Sequence, residues 1–145
     1  MSGEAEPNVR QAIPFFMVSD MEASVRFYVD GLGFEITHRW VGDDGKLRWC
    51  CMRNGAAALM LQEYTREGHG PGRPEGKLGL GVSICFVCRD ALAIYREVKV
   101  RGVAAETPFV GNSMWVTSLT DPDGYRIDFE SATDVPEETV YSEQP

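Results

Sequence analysis

Apolar residues recur along this chain with two different periods, and the periods change in the same order twice. Residues 12–18, "AIPFFMV", are an apolar run that ends at Ser19-Asp20. Met21, Val25, Tyr28 and Leu32 then recur at helical spacing, with Ser24 in the same stripe. Ser19 or Asp20 is suited to cap that helix, and Gly31 and Gly33 supply its stop. Residues 82–104 repeat the order. An apolar run reaches Arg89-Asp90; Leu92, Tyr95, Val98 and Val100 follow at near-helical spacing; Gly102 ends the helix. Phe27 and Tyr95 lie 68 residues apart and Gly33 and Gly102 lie 69 apart, so the chain reads as two similar halves.

After each helix the period drops to two. "FEITHRW", "LRWCCMR" and "AALMLQEY" are strand candidates, and the turn chemistry of "GDDGK" and "RNGA" separates them. In the second half, strands are expected near Val103–Thr107, Ser113–Thr120 and Tyr125–Glu130. The spacing therefore predicts an α+β fold of two βαβββ units, residues 11–66 and 82–131, joined by a glycine-rich linker at 67–81. Residues 1–10 are expected to be a flexible arm. Residues 132–145 read as an acidic tail that either wraps a neighbour or stays disordered. One unit alone leaves a sheet face bare. Two units bending their mixed sheets into a half-barrel, helices outside, make a concave cavity of the kind ligands occupy.

Composition narrows the partners. The formal charge of −8 is concentrated at the ends: residues 131–145 carry four acids and no Lys or Arg, and about −3 remains for residues 11–130. No basic patch is available for nucleic-acid phosphates or an anionic membrane surface. No apolar run is long enough to cross a bilayer, and the first residues lack the pattern of a secretory signal, so a cytoplasmic protein is expected. The cysteines occur as Cys50-Cys51 and Cys85…Cys88, a spacing that does not build a zinc knuckle. Alternation sends Cys85 and Cys88 to opposite faces, and buried free thiols are expected.

Two segments, "VSDMEASVRFYVDGLGF" and "TSLTDPDGYRIDFES", resemble the signature segments of the vicinal oxygen chelate superfamily, which includes glyoxalase I, extradiol dioxygenases and bleomycin-resistance proteins. The resemblance covers about residues 11–131. It implies four metal-ligand positions on the inner sheet face, one on the first and one on the last strand of each half. Carried onto this sequence they fall on Ile13, Met60, Ser83 and Asp128. Three of these hold an aliphatic group, a soft thioether and a neutral hydroxyl, a poor set for a hard or borderline divalent ion. Gln11 and Gln62 lie close enough to join Asp128 if the register slips, yet no imidazole joins them. His38 belongs to the second strand and His69 to the linker. No metal and no cofactor are expected.

Alternation then assigns the cavity wall: Ile13, Phe15 and Met17; Met60 and Gln62; Ser83 and Cys85; Arg126, Asp128 and Glu130. Pro14, Phe16, Val18, Tyr125, Ile127 and Phe129 pack toward the helices. Trp40 and Trp115, at strand ends, are candidates to rim the cavity, whereas Trp49 reads as packing. Arg126 and Asp128 either pair with each other or bind an anion and a cation of a ligand. The expected ligand-binding set is Ile13, Phe15, Met17, Trp40, Met60, Gln62, Ser83, Trp115, Arg126 and Asp128, with no catalytic residue assigned. The resemblance, read with these residues, implies a homodimer that binds a mid-sized organic ligand without metal, closest to the bleomycin-resistance branch. The alternative is a divalent-metal-dependent lyase, isomerase or dioxygenase; a third reading is a scaffold or regulatory partner without a small ligand.

Overall fold

A computed structural model describes residues 6–64 and 73–143. Two βαβββ units follow one another, giving an α+β fold. The first holds β1 (Phe15–Val18), α1 (Met21–Val25), β2 (Glu35–Val41), β3 (Leu47–Asn54) and β4 (Ala57–Glu63). The second holds β5 (Ser83–Val87), α2 (Ala91–Val100), β6 (Phe109–Gly111), β7 (Met114–Thr120) and β8 (Arg126–Ala132). Each makes a four-stranded mixed sheet, β1-β4-β3-β2 and β5-β8-β7-β6. The first strand of each unit pairs parallel to the last, which requires the helical crossover; the others are antiparallel hairpins.

Both helices start where the capping residues stand. Asp20 accepts a hydrogen bond from the Ala23 amide, and Asp90 accepts one from Ala93. The stripe from Met21 to Leu32 is not one α-helix, however. After Val25 the backbone widens into a π-helical stretch, Arg26–Gly31. That stretch ends against the second unit: a Cβ at Gly31 would lie 2.9 Å from Val103 Cγ2, and Arg101 donates to the Gly31 carbonyl at 3.0 Å. Glycine is needed there for close approach.

The sixth strand also departs from expectation. Residues 103–107 do not join the sheet, and the strand forms at Phe109–Gly111. Val103 and Ala105 alternate because they pack against the core, not because they pair. The Val103 amide returns to the Val98 carbonyl at the helix end, and the Glu106 amide donates to the Ser118 carbonyl.

The helix-covered faces of the two sheets share one core. Phe16, Val18, Leu59 and Leu61 of the first unit cluster with Leu119, Ile127, Phe129 and Val98 of the second. Aromatic rings run from Tyr28 through Phe34 and Phe86 to Phe129, with centroids 5.6–6.0 Å apart. The DPDG turn locks the seam. Asp121 accepts from the Tyr28 hydroxyl at 2.9 Å and from the Asp123 and Tyr125 amides. Asp123 accepts from the Ser19 amide, and Tyr125 stacks on Phe16 at 4.1 Å.

Residues 133–142 run along the edge of β6. Phe109 bridges Val140, the Val110 amide donates to Thr139, and Tyr141 donates to Pro108. Glu137 accepts from the Asn112 and Ser113 amides at the β6–β7 turn, where both residues hold positive φ. Tyr141 sits edge-on to Tyr95 and Trp115.

Ser24 is fully buried in α1, and its hydroxyl has no partner among the described residues. Replacing it with Ala removes an unsatisfied group and improves helix propensity. Ser24→Ala is expected to raise stability by about 1 kcal/mol in urea denaturation; a loss would show that the hydroxyl is satisfied in solution.

Candidate functional site

The strands fix which residues share a face, because paired residues point to the same side. In the first sheet, Phe15 pairs with Met60 and Met17 with Gln62. Gln62 and Met60 pair in turn with Trp49 and Cys51, and those with Trp40 and His38. These residues lie opposite the helix-covered face. Ile13 precedes β1 with the same parity and is half-buried. Among the described residues no further layer covers this face: Trp40 is 61% exposed and Phe15 42%. Trp49 thus stands between Trp40 and Gln62 on the open side, half-buried, not in the core as the sequence suggested.

In the second sheet, Ser83 pairs with Arg126, Cys85 with Asp128 and Val87 with Glu130. Ser118 lies opposite Asp128. This face is also open, with Val87 75% exposed. Trp115 is not part of it. It shares parity with Thr117, whose hydroxyl donates to the Ala91 carbonyl of α2, and with buried Leu119, so the helix side holds it beside Tyr141. The expectation that Trp115 rims the cavity is corrected: its place at a strand end does not set its face, and the β7–β8 register turns it to the helix side. Of the ten expected residues, the first sheet gathers Ile13, Phe15, Met17, Trp40, Met60 and Gln62, and the second gathers Ser83, Arg126 and Asp128.

The polar groups of the second sheet form a network. Asp128 is buried, and its Oδ1 accepts from Ser118 Oγ at 2.5 Å and lies 3.2 Å from Arg126 Nε. Arg126 also donates from Nη2 to Ser118 Oγ at 2.9 Å, and Glu106 lies 3.5 Å away. Arg126 and Asp128 therefore do pair, directly and also through Ser118, which the sequence pattern did not single out. Seeing Ser118 requires the β7–β8 register, which follows from the DPDG turn only once both strand ends are fixed. Beside this group, the Cys85 thiol donates to Glu130. Partial loss of solvent on the sheet face first, then that carboxylate, push the Cys85 thiol up to about 12, so it stays protonated and is a poor nucleophile. All four cysteines are free, but only Cys50 is fully buried, so the expectation of buried thiols fails at Cys85, which faces the open side.

The four positions at which the resemblance implies metal ligands carry Ile13, Met60, Ser83 and Asp128 as one donor set. Only Asp128 offers a carboxylate, and one of its oxygens is committed to Ser118 and Arg126. Among the described residues, no three His, Cys, Asp or Glu side chains converge on a common point. His38 Nδ1 meets Thr37 Oγ1; His69 lies outside the described residues. This set does not fit a divalent ion. What the arrangement offers instead is apolar and aromatic surface on one sheet and a mostly acidic, hydrogen-bonded patch on the other.

A family model described as the Glyoxalase/Bleomycin resistance protein/Dioxygenase superfamily matches residues 11–129. No curated protein matches the chain. Among solved structures, TnmS3, an antibiotic binding protein from Streptomyces sp. CB03234, is 24% identical, covers 86% of this chain and 98% of its own, and superposes with a TM-score of 0.63. A bleomycin-binding protein solved in complex with bleomycin is 22% identical over 85% of this chain and 98% of its own, with a TM-score of 0.62. SMU.1112c is 18% identical over 86% of this chain and all of its own, with a TM-score of 0.67. At these identities the likeness is one of fold.

Proposed function

Because the chain belongs to the Glyoxalase/Bleomycin resistance protein/Dioxygenase superfamily, we propose that it uses the fold as a metal-independent receptor for a mid-sized organic ligand. The observation that carries this reading is the open sheet surface. Phe15 stands exposed beside Met17, Met60 and Gln62, and Trp40 stands exposed beside Trp49 at the other edge of the same face, while the positions aligned with metal ligands lack the donors to hold an ion. Aromatic and thioether groups of this kind stack on planar, polarizable ligands. Asp128 and Glu130 on the second sheet, with Glu106 3.5 Å from Arg126, outnumber that one cation, which favours a ligand with a cationic group. The bleomycin-binding and antibiotic-binding relatives, by their names, support the same class of role.

An aromatic side chain that is 61% exposed on an uncovered sheet face supports a second copy closing the groove. The reading is therefore a homodimer whose ligand lies between sheet faces. Four unpaired thiols, one of them exposed, suit a reducing compartment, and the cytoplasm is the proposed location.

A panel of aromatic cations tests this by thermal shift and calorimetry, with sedimentation to read the oligomer. The expected result is saturable binding that survives chelator treatment and is carried by a dimer. Trp40→Ala should weaken binding about tenfold, equivalent to about 1.4 kcal/mol, without lowering Tm, because its ring adds little to the core. Stoichiometric divalent metal that is required for binding would sink the proposal.

A further inference from the structure

The glycine-rich turn leading into β5 and the DPDG turn ahead of β8 border an open surface hollow of about 360 Å³. Its lining, among the described residues, includes Lys77, Ser83, Thr120 and Arg126 and no carboxylate. Lys77 has no ion-pair partner among the described residues. Arg126 spends Nε and Nη2 on Asp128, Ser118 and Glu106, which leaves Nη1 uncommitted. The Ser83 and Thr120 hydroxyls make no hydrogen bond among the described residues. An ammonium, half a guanidinium and two hydroxyls thus border one hollow, a set dominated by donors.

The glycines fix its floor. Gly79 and Gly124 hold φ of +76° and +103°. A Cβ at Gly79 would lie 3.0 Å from Tyr125 Cα, and one at Gly124 would lie 3.1 Å from the Leu78 carbonyl oxygen. Only bare backbone lets the two turns meet this closely. The pocket is therefore set by the fold and not by the rotamer of one lysine.

We propose that this pocket is an oxyanion subsite that takes a phosphate or sulfate group, with Lys77 as its principal charge. Arg126 and Ser83 border both this pocket and the open face of the second sheet, so a ligand on that face can place an anionic group here while its cation meets Asp128 and Glu130. This extension rests on the proposed ligand face; the anion site itself does not. The shared chemistry is a tetrahedral oxyanion, free or esterified to an aromatic body.

The test is titration of the full chain with inorganic phosphate and with phenyl phosphate, followed by amide NMR shifts. Expected are saturable shifts centred on Gly79, Gly81, Ser83 and Gly124. Lys77→Ala should weaken phosphate about fivefold, the size of one exposed charge contact. Lys46→Ala, remote from the pocket, should change nothing. Tighter binding of phenyl phosphate than of phosphate, lost together with Trp40 or Phe15, identifies the anion as part of an organic ligand. Equal binding of the two still supports the subsite and counts only against the wider ligand face. Non-saturating shifts scattered over the surface, or an unchanged affinity in Lys77→Ala, overturn the subsite even if aromatic cations bind elsewhere.

Discussion

Phe34→Ala should cost about 3–5 kcal/mol of folding stability and should uncouple the two βαβββ units. Phe34 is 2% exposed and meets Tyr28 and Phe86 edge-on or tilted. It belongs to the first unit, whereas Phe86 belongs to the second, so truncation opens a void across the seam. Neighbouring rings cannot refill it without leaving their rotamers. Urea denaturation read by two probes, Trp fluorescence and far-ultraviolet dichroism, checks the outcome. A loss below about 1 kcal/mol would mean that the seam contributes little and that each unit is stable alone.

Asp121→Ala is the second large effect, expected at about 3 kcal/mol. The substitution strands the buried Tyr28 hydroxyl and the Asp123 and Tyr125 amides at once. Burial, and then Asp121 and Asp123, push the Tyr28 hydroxyl far above its ordinary value, so it stays a donor throughout the accessible pH range. Tyr28→Phe removes one of the three bonds and should cost less than Asp121→Ala; the reverse order would contradict the geometry. The pH dependence has a definite sign. Burial raises the Asp121 carboxyl above its ordinary value of 3.8, outweighing its hydrogen bonds. A folded-state value that is raised favours the protonated form, so the contribution is full below 3.8 and fades as pH climbs through the raised value. Against Asp121→Asn, which does not titrate, the native chain should lose relative stability as pH rises from about 3 toward neutrality. A difference that does not change with pH would show the carboxyl to be unburied in solution.

The same seam shows what the amino-acid pattern made legible. Capping aspartates, glycine stops and the DPDG turn located nearly every element, because local backbone preferences and long-range packing agree there. They disagree at Val103–Thr107, where period-two burial against the core imitates a strand that forms two residues later. Alternation correctly placed Phe16, Val18, Ile127 and Phe129 in the core, since their run is anchored by the capping residue or the tight turn beside it. The strand-end position misplaced Trp115, because lying beside the turn of positive-φ Asn112 and Ser113 does not decide which face of β7 a side chain takes. Trp49 shows the opposite error: an apolar side chain in mid-strand reads as core unless the pairing partner is known. The π-helical stretch and the Ser118 bridge to Asp128 depend on tertiary contacts, Gly31 on Val103 and β7 on β8, that no local spacing encodes.

The segment after β8 changes how the acidity of this chain acts on a visiting molecule. Glu137 is tethered to two backbone amides and Glu143 faces Lys99 at 3.6 Å, both along the border of the second sheet. Lys99 offsets the charge of Glu143, amide hydrogen bonds hold Glu137 at the β6–β7 turn, and what potential remains falls off over about 8 Å in physiological salt. A cation reaching the open face of the second sheet, as the proposed function requires, would meet Asp128, Glu130 and Glu106 before the tail, and the isoelectric point of the whole polypeptide is a poor guide to that encounter.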